Sequence, residues 1–167
     1  FCLVIKNTEN LVAQIVFKMI SNPDDRKDIA QDIYLKAFKN LAGFKFQSKL
    51  STWIAQVSYN TCLDHLRKMK LSFPGTIDQE NEKNDPVSDD TDILIRQREL
   101  TGILKTGIEQ LPPVYKTLIT LYHNEELSYE EIIQITGLPE GTVKSYLSRA
   151  RKALKNSLLL SYKKEDI

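Results

Sequence analysis

Between residues 138 and 154 the chain reads LPEGTVKSYLSRARKAL, a helix-like run that opens on a glycine and then carries cations at short intervals. Wound at about 100° per residue, it places Gly141, Lys144, Ser145, Ser148, Arg149, Lys152 and Lys155 on one arc. Val143, Leu147, Ala150 and Leu154 fall on the other arc and must face a core. A glycine inside a helix is about 1 kcal/mol worse than alanine, so Gly141 needs a reason. It lies on the outward face, at the end where free amides and the helix dipole favour an anion, and it has no side chain to hold a phosphate away. Thr142 stands beside it and joins the candidate contacts. This is the pattern of a DNA recognition helix, whose N-terminal residues reach base edges in the major groove. Lys144 and Arg149 suit base or phosphate contacts, Ser145 and Ser148 can bond either, and Lys152 and Lys155 suit phosphates.

Such a helix has to be positioned, and the preceding residues supply the means. In SYEEIIQITGLPEG, Ser128 and Glu131 have the S-x-x-E spacing of a capping box, in which each side chain bonds the other residue's free amide. Gly137 falls where that helix must stop with a positive φ, and Pro139 suits the opening of the next helix. The spacing therefore predicts a helix-turn-helix. Upstream, ILIRQRELTGILKTGIEQL reads as a helix broken by Pro112 and Pro113. In VYKTLITLYHNEEL, Val114, Leu118, Leu121 and Tyr122 lie at core spacing.

The first part of the chain shows a second surface with recognition chemistry. NLVAQIVFKMI and DDRKDIAQDIYLKAFKNLAGF read as a helix pair, with Asn22-Pro23-Asp24 as the turn and Gly43 near the second helix's end. Ala30, Ile33, Tyr34, Ala37 and Leu41 form its core stripe. The opposite face holds Asp28, Gln31, Asp32, Leu35 and Lys39, an aliphatic residue among charges that fits either a solvated face or a protein-docking surface. After the polar loop KFQSKLS, a third helix is expected from about Trp53 to Lys70, with Ser51 as N-cap. Its core face is Ile54, Ala55, Ser58, Cys62, Leu66 and Met69. The other face carries Trp53, Gln56, Asn60, Asp64 and Arg67, followed by Lys68 and Lys70. Amides and arginine read base edges and an aromatic ring stacks on an unpaired base; a tryptophan packed on a neighbour among ordinary surface polars has the same spacing.

Composition sets the frame. The chain has 167 residues, 41% hydrophobic and 27% charged, with a net charge of +1 that is unevenly distributed. Residues 1–70 carry 11 basic and 6 acidic side chains, residues 71–92 carry 1 and 7, and residues 93–167 carry 11 and 9. The middle stretch has two prolines, a glycine and dense acids, and reads as a flexible acidic linker. No alternating strand pattern occurs on either side. The expected fold is all-α: two small helical domains, residues 1–70 and 93–167, joined by that linker, the second containing the helix-turn-helix. The two cysteines, Cys2 and Cys62, form no metal spacing or disulfide framework, and His65 and His123 have no partners at ligand spacing. No Gly-rich phosphate loop or Ser/His/Asp arrangement is present, so no catalytic residue, metal or cofactor is expected and the protein is not read as an enzyme. No apolar run reaches membrane-spanning length and FCLVIKNTENLV lacks a signal-peptide pattern, so the expectation is a cytoplasmic protein without membrane insertion.

Taken together, the chain resembles the extracytoplasmic-function sigma factors, the small two-domain bacterial initiation factors. DRKDIAQDIYLKAFKNL is similar to their region 2.2, FKFQSKLSTWIAQVSYNTCLDHLRK to regions 2.3 and 2.4, and LPPVYKTLITLYHNEELSYEEIIQITGLPEGTVKSYLSRARKAL to region 4. The resemblance implies that Asp28, Gln31, Asp32 and Leu35 bind the clamp coiled coil of the RNA polymerase β′ subunit. Lys45, Gln47, Ser48 and Lys49 match the loop that captures a flipped base of the minus-ten promoter element, and Trp53, Asn60, Asp64, Arg67 and Lys68 match the helix that recognises and melts it. The recognition helix would read the minus-thirty-five element, the linker would thread into the polymerase, and the implied partners are the polymerase core, including its β flap, promoter DNA and an anti-sigma protein. Three positions depart from the family pattern: Ile133 stands for a usual alanine, Thr136 for a leucine and Tyr146 for an arginine that contacts phosphate. A stand-alone helix-turn-helix regulator is the alternative, but it leaves the first 70 residues unexplained. A helical adaptor that binds only protein is opposed by the cationic recognition face.

Overall fold

The computed structural model describes residues 1–72 and 94–165, and among them the chain is helical with one short 3-10 turn and no strand. Most of the acidic linker lies outside the described residues. Its first two positions, Leu71 and Ser72, belong instead to the end of a helix.

Helix α1 spans Cys2–Met19 and buries Thr8, Val12, Ile15, Val16 and Met19, the three-and-four spacing of a single helical face. Helix α2, Pro23–Asn40, starts as its sequence requires: the Asn22 side chain accepts from the Asp24 amide at 3.0 Å, Pro23 takes the first position and Asp24 and Asp25 lie in the first turn. It ends at Asn40, and Gly43 closes the 3-10 turn Leu41–Gly43 that follows. Of the stripe expected to be core, Ile33 and Ala37 are fully buried, whereas Ala30, Tyr34 and Leu41 are half-buried.

Helix α3 runs Leu50–Ser72, so it begins before Ser51, and Ser51 is not its N-cap. The Lys49 carbonyl accepts the Trp53 amide at 3.1 Å, which places the entry to the helix two residues earlier. Ile54, Ala55, Ser58 and Cys62 are buried as expected, but Met69 is 45% exposed. The helical period assigns Met69 to a face without indicating that the helix continues where no neighbour covers it.

The remaining helices are α4 (Leu94–Glu109), α5 (Pro113–His123), α6 (Tyr129–Thr136) and α7 (Glu140–Glu165). The capping box at α6 is complete: Ser128 Oγ accepts from the Glu131 amide at 3.2 Å and a Glu131 carboxylate oxygen accepts from the Ser128 amide at 3.0 Å. Gly137 ends α6 at φ +69°, where a side chain would be strained. Pro139 sits just outside α7 rather than in its first turn, and its carbonyl accepts from Thr142 and Val143. Thr136 fits without a leucine because its hydroxyl donates to the Ile132 carbonyl at 2.8 Å and also accepts from the Leu138 amide at 3.3 Å.

The two helical halves that the sequence presents separately are packed against each other in the fold. Helix α3 lies on α1 and α2 and also on α6, while α1 packs on α5. Ion pairs cross the same seam. Lys18 Nζ donates to Glu109, which also receives Lys116 at 3.5 Å, and Lys49 Nζ donates to Glu131 at 2.8 Å. Burial pushes the Glu109 carboxyl up, but Lys18 and Lys116 outweigh it and hold the group below the usual range. Lys49, and then the Ser128 amide, hold Glu131 low as well.

Because both carboxyls titrate lower in the folded chain than in the unfolded one, their stabilisation is complete above the unfolded pKa of about 4.3. It is lost as pH falls through the lower folded values. The melting temperature, followed by circular dichroism, is expected to fall on acidification below that point, and Glu131→Gln is expected to make the fall shallower. Glutamine preserves the cap and removes only the charge, so an unchanged acid slope in that variant counts against the pair.

Candidate nucleic-acid interface

Helix α7 owes its two faces to the residues beneath it. Val143, Leu147 and Ala150 are fully buried against the remainder of the second half, and Leu154 is half-buried. This anchoring turns Gly141, Lys144, Ser148, Arg149, Lys152 and Lys155 outward, all exposed, with Thr142 and Ser145 half-buried beside them. A Cβ added at Gly141 would meet nothing within 4 Å. The fold itself therefore does not require a glycine there.

The cations on this face are not all free. Lys144 Nζ lies 2.5 Å from Glu140 Oε1 and 5.7 Å from the centroid of the Tyr129 ring, and the Glu140 carboxylate holds the lysine pKa above its ordinary value. The Tyr115 hydroxyl beside Arg149 pushes that guanidinium further up, so the arginine carries a fixed charge and a polar partner within the protein. Tyr115 in turn stacks on Tyr146 with ring centroids 4.9 Å apart. Tyr146, where a phosphate-binding arginine is the expected residue, is half-buried and packs against the core instead of projecting into solvent.

On α3 the expected face is also presented to solvent. Gln56, Asn60, Asp64, Arg67 and Lys68 are exposed, and Arg67 Nη1 lies 3.8 Å from Asp64 Oδ1 one turn away. Trp53 is half-buried because its ring packs on Phe44, centroid to centroid 5.1 Å. In the preceding loop Lys45, Gln47 and Lys49 are exposed and Ser48 is half-buried. Lys49 reaches across to Glu131, so the loop that leads into α3 is tied to the first helix of the helix-turn-helix.

The third candidate surface lies on α2. Asp28, Gln31, Asp32 and Leu35 are all exposed on one face, Leu35 at 57%, and Asp32 pairs with Lys36 at 2.9 Å. Phe38, 61% exposed, extends the apolar part of the same helix and was not singled out from the sequence. Phe46 lies inside the expected loop of residues 45–49 without being named as a contact, and Phe44 just precedes it. Their signal in the sequence was the aromatic pair in FKF just before Trp53.

Among the described residues no group of histidine, cysteine and carboxylate side chains is placed to hold a metal ion, and no helix is long and apolar enough to cross a membrane. Cys62 is buried, which pushes its thiol up to about 12, so it is inert at neutral pH. His65 Nε2 on α3 is buried 3.5 Å from Asp25 Oδ2 on α2 without forming a hydrogen bond.

Comparison with known proteins agrees with this arrangement. Residues 4–71 match the family model for sigma-70 region 2, and residues 101–154 match that for sigma-70 region 4. The chain is 29% identical over 167 residues to the ECF RNA polymerase sigma factor SigW of Bacillus subtilis, covering 95% of this chain and 88% of the relative. It is 31% identical over 165 residues to the ECF RNA polymerase sigma-E factor of Haemophilus influenzae, covering 95% and 87%. Among solved structures, its fold is similar to the sigma factor RpoE in complex with the anti-sigma factor NepR from Bartonella quintana, with TM-score 0.69, 22% identity, and 92% and 93% of the two chains covered. It is also similar to CnrH in complex with the cytosolic domain of CnrY, with TM-score 0.63, 18% identity, and 95% and 86% covered.

Proposed function

We propose, from the premise that the chain belongs to the extracytoplasmic-function sigma factors of RNA polymerase, a division of that work among its own residues. Asp28, Gln31, Asp32 and Leu35 on α2 dock the polymerase core. The loop residues Lys45, Gln47, Ser48 and Lys49 hold an extruded base of the minus-ten element, while Trp53, Asn60, Asp64, Arg67 and Lys68 recognise and melt it. Gly141, Thr142, Lys144, Ser145, Ser148, Arg149 and Lys152 meet the minus-thirty-five element. Residues 1–70 and 93–167 then act as two heads, with residues 71–92 as the tether between them. The work is done in the cytoplasm, without catalytic chemistry by the chain itself. The observation that carries this reading is the outward arc of α7 with a bare Gly141 at its N-terminal end, in the same chain as an amide-bearing α3 face.

The reading requires movement. Element centres about 25 base pairs apart lie roughly 85 Å from each other along a duplex at ~3.4 Å per pair. Heads packed α3 on α6 cannot reach both, so the seam opens on the promoter. An anti-sigma partner fits this scheme, since the similar sigma factor RpoE was captured with one.

The test is co-elution of the full chain with bacterial core polymerase, followed by run-off transcription from promoters selected in the presence of core. Tight binding to duplex DNA without any binding to core would favour a stand-alone regulator, a reading that leaves the exposed α2 face unused. Charge reversal by Asp32→Lys is expected to weaken core binding at least tenfold in a labelled-core titration while leaving the melting temperature nearly unchanged, because Asp32 is exposed. Unaltered affinity would remove Asp32 from the interface.

A further inference from the structure

A cleft of about 430 Å3 lies where α1, the start of α2 and α4 meet, so its walls come from both halves of the chain. That volume falls within the roughly 300–1,000 Å3 of small-molecule sites. Its charged groups are mostly cationic. Lys18 and Arg26 belong to the first half and Lys105 to the second, and they face the single carboxylate of Glu109, which is already paired with Lys18 and Lys116. Lys105 is exposed and makes no ion pair or hydrogen bond among the described residues.

Arg26 is held on two sides. Its Nε donates to the Ile20 carbonyl at 2.8 Å, and its guanidinium carbon lies 4.4 Å from the centroid of the Phe17 ring. That hydrogen bond leaves the two terminal nitrogens of the guanidinium to donate elsewhere. They form a planar fork, already oriented, of the kind that matches two oxygens of a phosphate. Phe17 is 54% exposed and Gln14 is half-buried in the same wall, so an aromatic surface and an amide stand beside the cations. An oriented arginine fork, an unpaired lysine and an aromatic ring in one small cleft fit a compact phosphate-bearing ligand. Promoter DNA fits less well, because the cleft exists only while the two halves are packed together and the promoter draws them apart.

We propose that this cleft binds a small polyphosphate, and that the ligand, held by Arg26 on one half and Lys105 on the other, fastens the closed chain. The fastening rests on the reading that the halves part on the promoter; the site itself does not. A ligand that binds only the closed chain stabilises it by mass action, and by linkage it weakens any partner that needs the open chain. Inorganic pyrophosphate and a nucleoside diphosphate share the chemistry that the cations recognise. Only the nucleotide also has a planar base to set against Phe17 and the guanidinium of Arg26.

The experiment titrates the full chain with sodium pyrophosphate and with ADP at constant ionic strength, with isothermal titration calorimetry as readout. One site is expected. Lys105→Ala, at an exposed position that the fold does not use, is expected to weaken both ligands about tenfold, the scale of one charge-assisted hydrogen bond. Arg26→Lys keeps the charge, loses the fork and is expected to weaken them similarly. Lys6→Ala is the control: it is exposed on α1, about 18 Å from Lys18 at ~1.5 Å per residue, and is expected to bind within twofold of the parent. Tighter binding of ADP assigns a nucleotide to the cleft, and equal binding assigns an inorganic polyphosphate. No binding by the parent at millimolar ligand, or an equal loss in Lys6→Ala, overturns the site and leaves the parting of the halves untouched. If Lys105→Ala lowers promoter affinity of the core-bound chain as Arg149→Ala does, the cleft is a DNA contact and the proposal is overturned. Saturating ADP is expected to weaken binding of labelled core at least fivefold. Unchanged core binding with the site occupied refutes the fastening, and the parting of the halves with it, while the site stands.

Discussion

Leu147→Ala is expected to lower the free energy of unfolding by about 3 kcal/mol, within the ~2–5 kcal/mol that truncation of a buried leucine costs. Leu147 is fully buried and belongs to the row, with Val143 and Ala150, that fixes α7 to the rest of the second half. Deleting its methyl groups removes their transfer free energy and leaves a cavity in the core of that half, where Leu118, Leu121, Ile132 and Ile135 are also fully buried. A urea titration followed by circular dichroism measures the loss. Leu159→Ala on the same helix, where the leucine is 50% exposed, is expected to stay within ~0.5 kcal/mol of the parent. Equal losses at the two sites would mean that α7 is not anchored where its sequence period places the anchor. Function should follow stability here, since a recognition helix that tilts on its support misplaces Gly141 and Arg149 together.

Arg149→Ala is expected to cost promoter binding about 1–3 kcal/mol, or roughly 5- to 150-fold, with the loss concentrated on duplexes carrying the correct upstream element. The residue is exposed on the outward arc, with the Tyr115 hydroxyl near its guanidinium. The check is electrophoretic mobility of core-bound protein on the selected promoter and on one with a scrambled upstream element. A uniform loss on both would assign Arg149 to a phosphate. Tyr115→Phe provides a second comparison: it keeps the ring stacked on Tyr146 and removes only the hydroxyl. A weaker loss of the same specificity would place Tyr115 behind the arginine as its support.

The parts of the fold that were legible in the sequence are those whose causes are local. Ser128 and Glu131 are three residues apart, and the capping box they form follows from that spacing alone. Gly137 stops α6 for a reason contained in its own missing Cβ, and Asn22 caps α2 from the adjacent position. The α7 arc was legible because Val143, Leu147 and Ala150 repeat at helical intervals and were all buried. The exposed faces of α2 and α3 were equally legible, down to Leu35 among its charges.

What the sequence did not disclose depends on contacts between residues far apart or on one unusual torsion. Lys49 and Glu131 are 82 positions apart, and no periodicity links a loop lysine to a capping glutamate. The packing of α3 on α6 was hidden for the same reason: each helix shows an apolar face, but neither names its partner. Phe46 was overlooked because a phenylalanine in a polar loop gives no hint that its φ will be positive or that its ring will sit over Phe44. Tyr146 stands where the family pattern has an arginine, and its ring packs on Tyr115, a contact that no spacing in the sequence indicates.

The Lys49–Glu131 pair gives the chain an ionic-strength behaviour that neither head would have alone. Binding a promoter displaces the cations condensed on DNA, so added salt weakens it by about 0.9 logarithmic unit per neutralised phosphate for each tenfold rise. Added salt also screens the attraction between Lys49 and Glu131, both of which reach solvent, and thereby eases the parting of the heads that must come first. The two responses have opposite sign and act on the same overall equilibrium. Screening of one partly exposed pair, worth about 0–1 kcal/mol, therefore offsets only a small part of the salt dependence of promoter binding.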